Sequence, residues 1–240
     1  MLIDLHAHSS GISGCCRIPY DAVVRAARDR GLDGIVLTNH YFKAYVTDGD
    51  FSAFAKRYTE EFRLTKAYAD TVGMKVFFGA EVTMEQYDRA HILLYGITEQ
   101  WLEENPCLFG WTQEELYSKV KAVGGIVVQA HPYRGKKHLL DTRFLDGVEV
   151  NCHPLYQNSY FGDMLEIAKE NGFLLTCGGD YHADTYRPKC GVYLPDELQS
   201  AADLAEYLRN TVSLKLCIQE PNTQDAYDYL YVRPLDADEN

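Results

Sequence analysis

Eight short runs rich in aliphatic, β-branched and aromatic residues punctuate the chain. They are 2–6 (LIDLH), 34–39 (GIVLTN), 75–82 (KVFFGAEV), 91–97 (HILLYGI), 125–130 (GIVVQA), 147–152 (GVEVNC), 173–179 (FLLTCGG) and 214–219 (LKLCIQ). Each has the length and composition of a buried strand. Between them, apolar positions recur at helical spacing over 20–30, closed by Gly31, and over 51–72, closed by Gly73. Further helices are expected from the capping box Thr112-x-x-Glu115 to about 123, over about 159–171, and over 201–209 behind Ser200-x-x-Asp203.

Strand alternating with helix implies a mainly parallel sheet joined by helical crossovers. Seven or eight strands in about 220 residues favour a closed β/α barrel over an open sheet. About eight residues separate GAEV from HILLYG, too few for a crossover helix, so these two strands are expected to form an antiparallel hairpin. No internal repeat or low-complexity block interrupts the pattern, which reads as one domain over 1–232. Residues 233–240, ending in DADEN, form an acidic tail that is expected to fray.

Composition narrows the partners more than the fold. Hydrophobic residues make up 46% of the 240 and charged residues 24%, enough apolar material to bury a core. The net charge of −12 opposes a grip on long nucleic acid, which needs basic surface, but not the binding of a small anion beside a bound cation. Seven cysteines with no C-x-x-C pair read as reduced thiols in a cytoplasmic protein. The N-terminus lacks a basic segment followed by an apolar one, and no run approaches the ~18 apolar residues of a membrane span.

The chemistry lies where the strands end. Six of the eight histidines stand in strand-end signatures: DLHAH (His6, His8), LTNH (His40), DRAHILLYG (His91), VQAHPYR (His131) and GGDYH (His182). Glu81 in FFGAEV and Asp180 in GGDYH join them. Residues i and i+2 of a strand share a face, so Asp4, His6 and His8 project together, and Asp180 and His182 repeat the device. In a parallel barrel the carboxyl ends of the strands converge on one rim. His91 begins its strand yet reaches the same rim, because a hairpin sets the start of one strand beside the end of its partner. Singly, each histidine reads as a structural or capping residue. Together, without a cation, six imidazoles and two carboxylates would be a costly crowd of buried polar groups. Mixed N/O ligation suits Zn, Mn or Fe and disfavours Ca. Eight candidate ligands are too many for one ion, so two or three divalent ions and hydrolytic chemistry are expected.

At these residues the sequence resembles the PHP (polymerase and histidinol phosphatase) family of metal-dependent phosphoesterases. DLHAH, TNH, GAEV, HILLYG, QAHP, GVEVN and GGDYH stand in the family's order and spacing through nearly the whole chain. The resemblance implies an α/β fold, a distorted (β/α)7 barrel with its metal site at the C-terminal rim. It also implies that His6, His8, Glu81 and Asp180 hold one ion, and that Glu81 bridges to a second completed by His91 and His131. His40 and His182 would serve a third. Two positions depart from the pattern: Ser13 and Gly14 stand where an Asp or His is common, and Asn39 replaces a carboxylate in TNH. If the third ion is absent, His40 and His182 are a candidate acid/base pair. Cys15 and Cys16 lie where the missing ligand would be, so a thiolate is an alternative there.

The expected reaction is hydrolysis of a small phosphomonoester, such as histidinol phosphate, a nucleotide or a sugar phosphate. A metal-bridged hydroxide between two ions about 3.5–4 Å apart would attack the phosphorus. A phosphodiesterase or exonuclease, an amidohydrolase, and a metal-binding module of reduced activity are the competing readings. Asp4 is expected behind the ligands, fixing the tautomer of His6 or His8. Arg134 is the leading phosphate clamp, followed by Arg17, while His153 in NCHP is a further candidate substrate contact. Lys136 and Lys137 read as a solvated charge run. No membrane partner is expected, and the oligomeric state is not legible.

Overall fold

Every one of the eight apolar runs forms a strand. The structure, a computed structural model, describes residues 1–135, 138–156, 158–183 and 188–234. Lys136, Lys137 and the end of the acidic tail therefore lie outside the described residues. In chain order the elements are β1 (Leu2–Ala7), α1 (Tyr20–Asp29), β2 (Gly34–Leu37), β3 (His40–Tyr41), α2 (Phe51–Thr71), β4 (Lys75–Met84) and β5 (Ala90–Tyr95). Then come α3 (Glu99–Glu104), α4 (Gln113–Ala122), β6 (Ile126–Gln129), β7 (Gly147–Asn151), α5 (Phe161–Asn171) and β8 (Leu174–Gly178). The chain continues through β9 (Gly191–Tyr193), α6 (Ala201–Asn210), β10 (Ser213–Ile218) and β11 (Tyr227–Val232).

The sheet runs β11-β10-β9-β1-β2-β4-β5-β6-β7-β8, with β3 paired to β4 off this path. Seven strands, β1, β2 and β4 to β8, form the barrel wall. Pairing is parallel from β1 to β4 and from β6 to β8, while β5 runs antiparallel to both neighbours. The expected hairpin is thus β4–β5, with Thr83 opposite His91. The wall does not close by a full ladder. Between β8 and β1 there is one parallel bridge, Ala7 to Tyr181, because β1 spends its other edge on antiparallel β9.

Both capping boxes form: Thr112 with Glu115 opens α4, and Ser200 with Asp203 opens α6. Helix α2 is capped by Asp50, whose carboxylate accepts from Ala53 N. It buries Phe54, Tyr58 and Phe62 against the barrel, and full burial of a large apolar side chain is worth about 1.5–3 kcal/mol. Tyr58 also carries the fold into the site. Its hydroxyl lies 2.6 Å from the Asn39 carbonyl and 3.0 Å from that of Gly79, tying the segment before His40 to β4. Among the described residues no helix is long and apolar enough to cross a membrane.

Four elements had no counterpart in the pattern. The short α3 owes its start to Thr98, whose hydroxyl accepts from Trp101 N, and buries only Trp101 and Leu102. Strands β3 and β9 have two and three residues, too few to show a period. Strand β11 is an edge with most of its residues exposed, so no buried face marks it.

Candidate metal centre

The strand ends deliver the eight predicted ligands to one rim. His6 lies within β1 and His8 just beyond it, His40 opens β3 opposite Glu81 of β4, and His91 is in β5. His131 follows β6, and Asp180 and His182 follow β8. His131 and Asp180 hold the left-handed backbone region, with φ of 31° and 48°, an uncommon cost for non-glycine residues that aims their side chains inward.

His6, His8, Glu81 and Asp180 form the tightest group, all of it buried. His6 Nε2 lies 3.0 Å from His8 Nε2, 3.4 Å from Glu81 Oε1 and 3.4 Å from Asp180 Oδ1. His8 Nε2 lies 3.1 Å from Asp180 Oδ1 and 3.5 Å from Glu81 Oε2. Ligands about 2.0–2.1 Å from one tetrahedral ion stand about 3.3–3.4 Å apart, and the distances here, 3.0–3.5 Å with a different Glu81 oxygen toward each ring, bracket that value.

The tautomers agree. His6 Nδ1 lies 2.7 Å from Glu149 Oε1 and donates there, so that when the ring is neutral its lone pair is at Nε2, toward the centre. For His8 the same result follows from Ser13 and Asn39. The Asn39 amide is oriented by Ser9: its Oδ1 accepts Ser9 N–H at 2.7 Å and its Nδ2 donates to Ser9 Oγ at 2.9 Å. Ser13 Oγ therefore donates to Asn39 Oδ1 at 2.9 Å and accepts the His40 N–H at 3.0 Å. His8 Nδ1, 3.1 Å from Ser13 Oγ, must then be the donor, leaving Nε2 as a lone pair. Ser13 and Asn39, read from sequence as losses, thus form a relay that orients a ligand. With His6 deprotonated, two imidazoles and two carboxylates face one another, a donor set that fits a divalent cation.

Around Glu81 a second group gathers. Its Oε1 lies 2.8 Å from His91 Nδ1 and 3.0 Å from His131 Nε2. Its Oε2 lies 2.6 Å from His40 Nδ1, without the alignment of a hydrogen bond. Burial alone would favour a neutral carboxyl, yet His91, His40 and His6 hold Glu81 well below the usual carboxylate range. Asp180 is likewise held well below it by Arg134, His6 and His182 against burial. His6 is raised well above 6.5, because Glu149, Asp180 and Glu81 outweigh its burial. Burial and the neighbouring His182 and His40 push His8 well below 6.5.

The role expected of Asp4 changes, and the contacts of Arg134 and His153 narrow theirs. Asp4 does not reach an imidazole. Its Oδ1 accepts the backbone N–H of His6 at 3.0 Å and of Gly179 at 2.9 Å, and its Oδ2 meets Arg30 at 3.3 Å, because the carboxylate turns along the barrel wall. It therefore braces β1 against the segment after β8 instead of fixing a tautomer. Arg134 is not a fully open clamp: its NH1 and NH2 lie 2.5 Å from Asp180 Oδ2 and Asn151 Oδ1, and its guanidinium packs 4.0 Å over Tyr156. It meets an anion only through the donor hydrogens left over. His153 is buried with its Nδ1 accepting from Leu155 N at 3.2 Å. Burial, against the pull of Asp180, pushes it down to about 4, so it is a neutral ring with Nε2–H as donor. Arg17 is exposed and lines, with Arg134 and His153, a cavity of about 800 Å³ whose wall includes His40, His91, Asp180 and His182.

Glu149 is the functional residue that sequence pattern missed. It sits in mid-strand, 1% exposed, where V-E-V-N reads as core. The available signal was that Glu149 and Asn151 share a face at i, i+2. Besides His6, its carboxylate takes the His131 N–H and the Asn151 amide, each at 3.0 Å. Gly178 makes room for it, since a Cβ there would lie 2.5 Å from His6 Cβ and 2.7 Å from Glu149 Oε1. Carboxylates behind metal-bound histidines typically matter about 10–100-fold. Glu149→Gln is accordingly expected to weaken metal binding by ~10–100-fold at unchanged melting temperature of the stripped protein, read by competition with a metal indicator. Wild-type affinity would remove Glu149 from the centre.

No family model and no curated protein matches the sequence. Solved structures do match the fold. A two-domain protein from Bacteroides vulgatus containing a predicted PHP-like metal-dependent phosphoesterase aligns with TM-score 0.66 and 18% identity, over 91% of this chain and 65% of that one. PsfC from Pseudomonas syringae aligns at 0.61 and 18%, over 85% and 87%. An amidohydrolase from Chromobacterium violaceum, solved with sulfate and no metal, aligns at 0.57 and 16%, over 87% and 97%. The fold is a PHP-like β/α barrel, as the sequence resemblance implied, and this chain spans about two thirds of the two-domain protein.

Proposed function

We propose that this chain is a metal-dependent phosphoesterase hydrolysing a small phosphomonoester. The observation that carries the reading is the buried group of His6, His8, Glu81 and Asp180, its imidazole nitrogens 3.0–3.5 Å from each other and from the carboxylate oxygens, beside a cavity with two arginines on its wall. His6, His8, Glu81 and Asp180 would hold one ion, and Glu81 with His91 and His131 a second. When bound, such ions supply Lewis acidity and a water acidified toward neutral pH. The chain's own part is to bind and orient. Arg17, the remaining hydrogens of Arg134 and the His153 Nε2–H donate to the phosphoryl oxygens from the cavity wall. Glu149 and the Ser13–Asn39 relay keep the ligand rings fixed.

An amide substrate is the second reading, favoured by the likeness to the Chromobacterium violaceum amidohydrolase. Against it, no lysine is among the described residues lining the cavity. The full chain, stripped and reloaded with Zn, Mn or Fe, is to be assayed on phosphomonoesters, phosphodiesters and amides. Phosphate release from monoesters is expected to exceed diester turnover by at least about tenfold, a difference of ~1.4 kcal/mol in barrier. Release with none of the three metals would overturn the proposal, and preferred amide cleavage would replace it with the second reading.

A further inference from the structure

Two apolar side chains are left open on the cavity wall. Leu155 is 75% exposed and Tyr156 is 40% exposed, and both line the cavity beside Arg134 and His153. They stand on a turn just after β7 whose shape is fixed by polar contacts. Asn151 Oδ1 accepts the His153 N–H at 3.1 Å, His153 Nδ1 accepts the Leu155 N–H at 3.2 Å, and the His153 carbonyl accepts the Tyr156 N–H at 3.1 Å. The Tyr156 ring is held as well. The Arg134 guanidinium lies over it, 4.0 Å from its centroid, and the His153 ring meets it edge-on at 5.0 Å. That same guanidinium lies 2.5 Å from Asp180 Oδ2. One planar group therefore separates the tyrosine ring from the metal-ligand group.

We infer that Leu155 and Tyr156 form the platform for the leaving group, and that the substrate is an aryl or arylmethyl phosphomonoester. The inference rests on the phosphomonoester reading above and narrows its substrate class. Ligand cavities pair an apolar, aromatic surface with a few placed polar groups, and here the two stand side by side. A phosphoryl group that takes the remaining Arg134 hydrogens puts its ester oxygen next to the guanidinium. A ring on that oxygen, or one carbon beyond it, reaches the face or edge of Tyr156 and covers Leu155. A ring on a longer tether overshoots a platform so close to the centre, and a small alkyl group leaves it in water. Hydrolysis joins the water oxygen to phosphorus as the ester P–O bond breaks. The electron pair of that bond leaves on the phenol or alcohol oxygen, which takes up one proton of the water.

Phosphonates test the platform apart from the reactivity of the ester, because their P–C bond is not hydrolysed. Methyl-, phenyl- and benzylphosphonate and inorganic phosphate are to compete with p-nitrophenyl phosphate on the metal-loaded full chain. The two ring compounds are expected to inhibit at least about tenfold more tightly than methylphosphonate, in the range of ring stacking on a protein aromatic. In Tyr156→Ala and in Leu155→Ser that ratio is expected to fall to about threefold or less. A tyrosine that only braced Arg134 would, on removal, weaken every inhibitor alike and keep the ratio. A ratio near one in the wild type, or a ratio kept in both variants, overturns the inference while monoester hydrolysis stands. If no monoester is hydrolysed, the proposed function fails and this inference with it.

Discussion

Glu81→Gln is expected to leave a folded protein that has lost metal and turnover together. No other side chain touches so much of the centre: His6, His8, His40, His91 and His131 all lie within 3.5 Å of its two oxygens. Glutamine keeps the volume but removes the charge, and its amide can present only one acceptor where the carboxylate presents two. Histidine ligands would then neighbour a buried N–H₂ group that cannot bind a cation. The effect should exceed the ~10–100-fold of a supporting carboxylate, so loss of turnover of at least ~1000-fold is expected. Elemental analysis of the purified variant should find at least one equivalent fewer than wild type. The control is the melting temperature of the stripped proteins, which separates a lost centre from a lost fold. Wild-type metal content would refute the central role of Glu81.

The second large effect concerns metal, protons and stability. A site saturated at a hundred times its Kd adds about 2.7 kcal/mol to the folded state. In a chain of this size that raises Tm by about 5–11 °C for each site filled. Stripping by chelator is expected to reverse the shift. The pH dependence has a definite sign. In the stripped protein His40 is raised to about 10, chiefly because Glu81 overcomes the burial that would lower it, and His6 is raised as well. Stability from these raised values is present in full below the unfolded value of 6.5. For His40 it is lost as pH climbs through about 10. Metal needs the deprotonated ligands, so loading favours high pH and is lost on acidification. Zinc uptake at pH 7 in weak buffer should therefore release at least one proton per chain, and the Tm difference between loaded and stripped protein should widen from pH 6 to 8. A pH-independent difference with no proton release would show that these histidines do not ligate.

Much of this centre was legible because strand periodicity is strict. DLHAH and GGDYH each place two polar residues on one face, and a barrel leaves such faces only the rim in which to meet a partner. The β4–β5 hairpin was legible from loop length alone, and it is what turns His91 from an oddity into a neighbour of Glu81. Other features depended on which lone pair meets which proton. Glu149 looked like one buried strand residue among valines until His6 was seen against it. Ser13 and Asn39 looked like deletions from a pattern, since a serine and an amide are not ligands. Their value lies in a chain of donors and acceptors that spans 30 residues between Ser9 and Asn39. Asp4 was placed on the correct face but given the wrong partner, because backbone N–H groups leave no mark in a sequence. The short strands β3 and β9 owe their existence to neighbours and were invisible for the same reason.

The incomplete ladder between β1 and β8 gives the barrel a seam. Backbone pairing crosses it at a single bridge near the rim, and below that the Asp4 carboxylate spans from His6 N to Gly179 N in place of strand-to-strand bonds. His6 and His8 stand on one lip of this seam, Asp180 and His182 on the other. A cation bound by His6, His8, Glu81 and Asp180 would tie the two lips together. Metal binding there would add to a junction that side chains hold where other neighbouring strands have ladders.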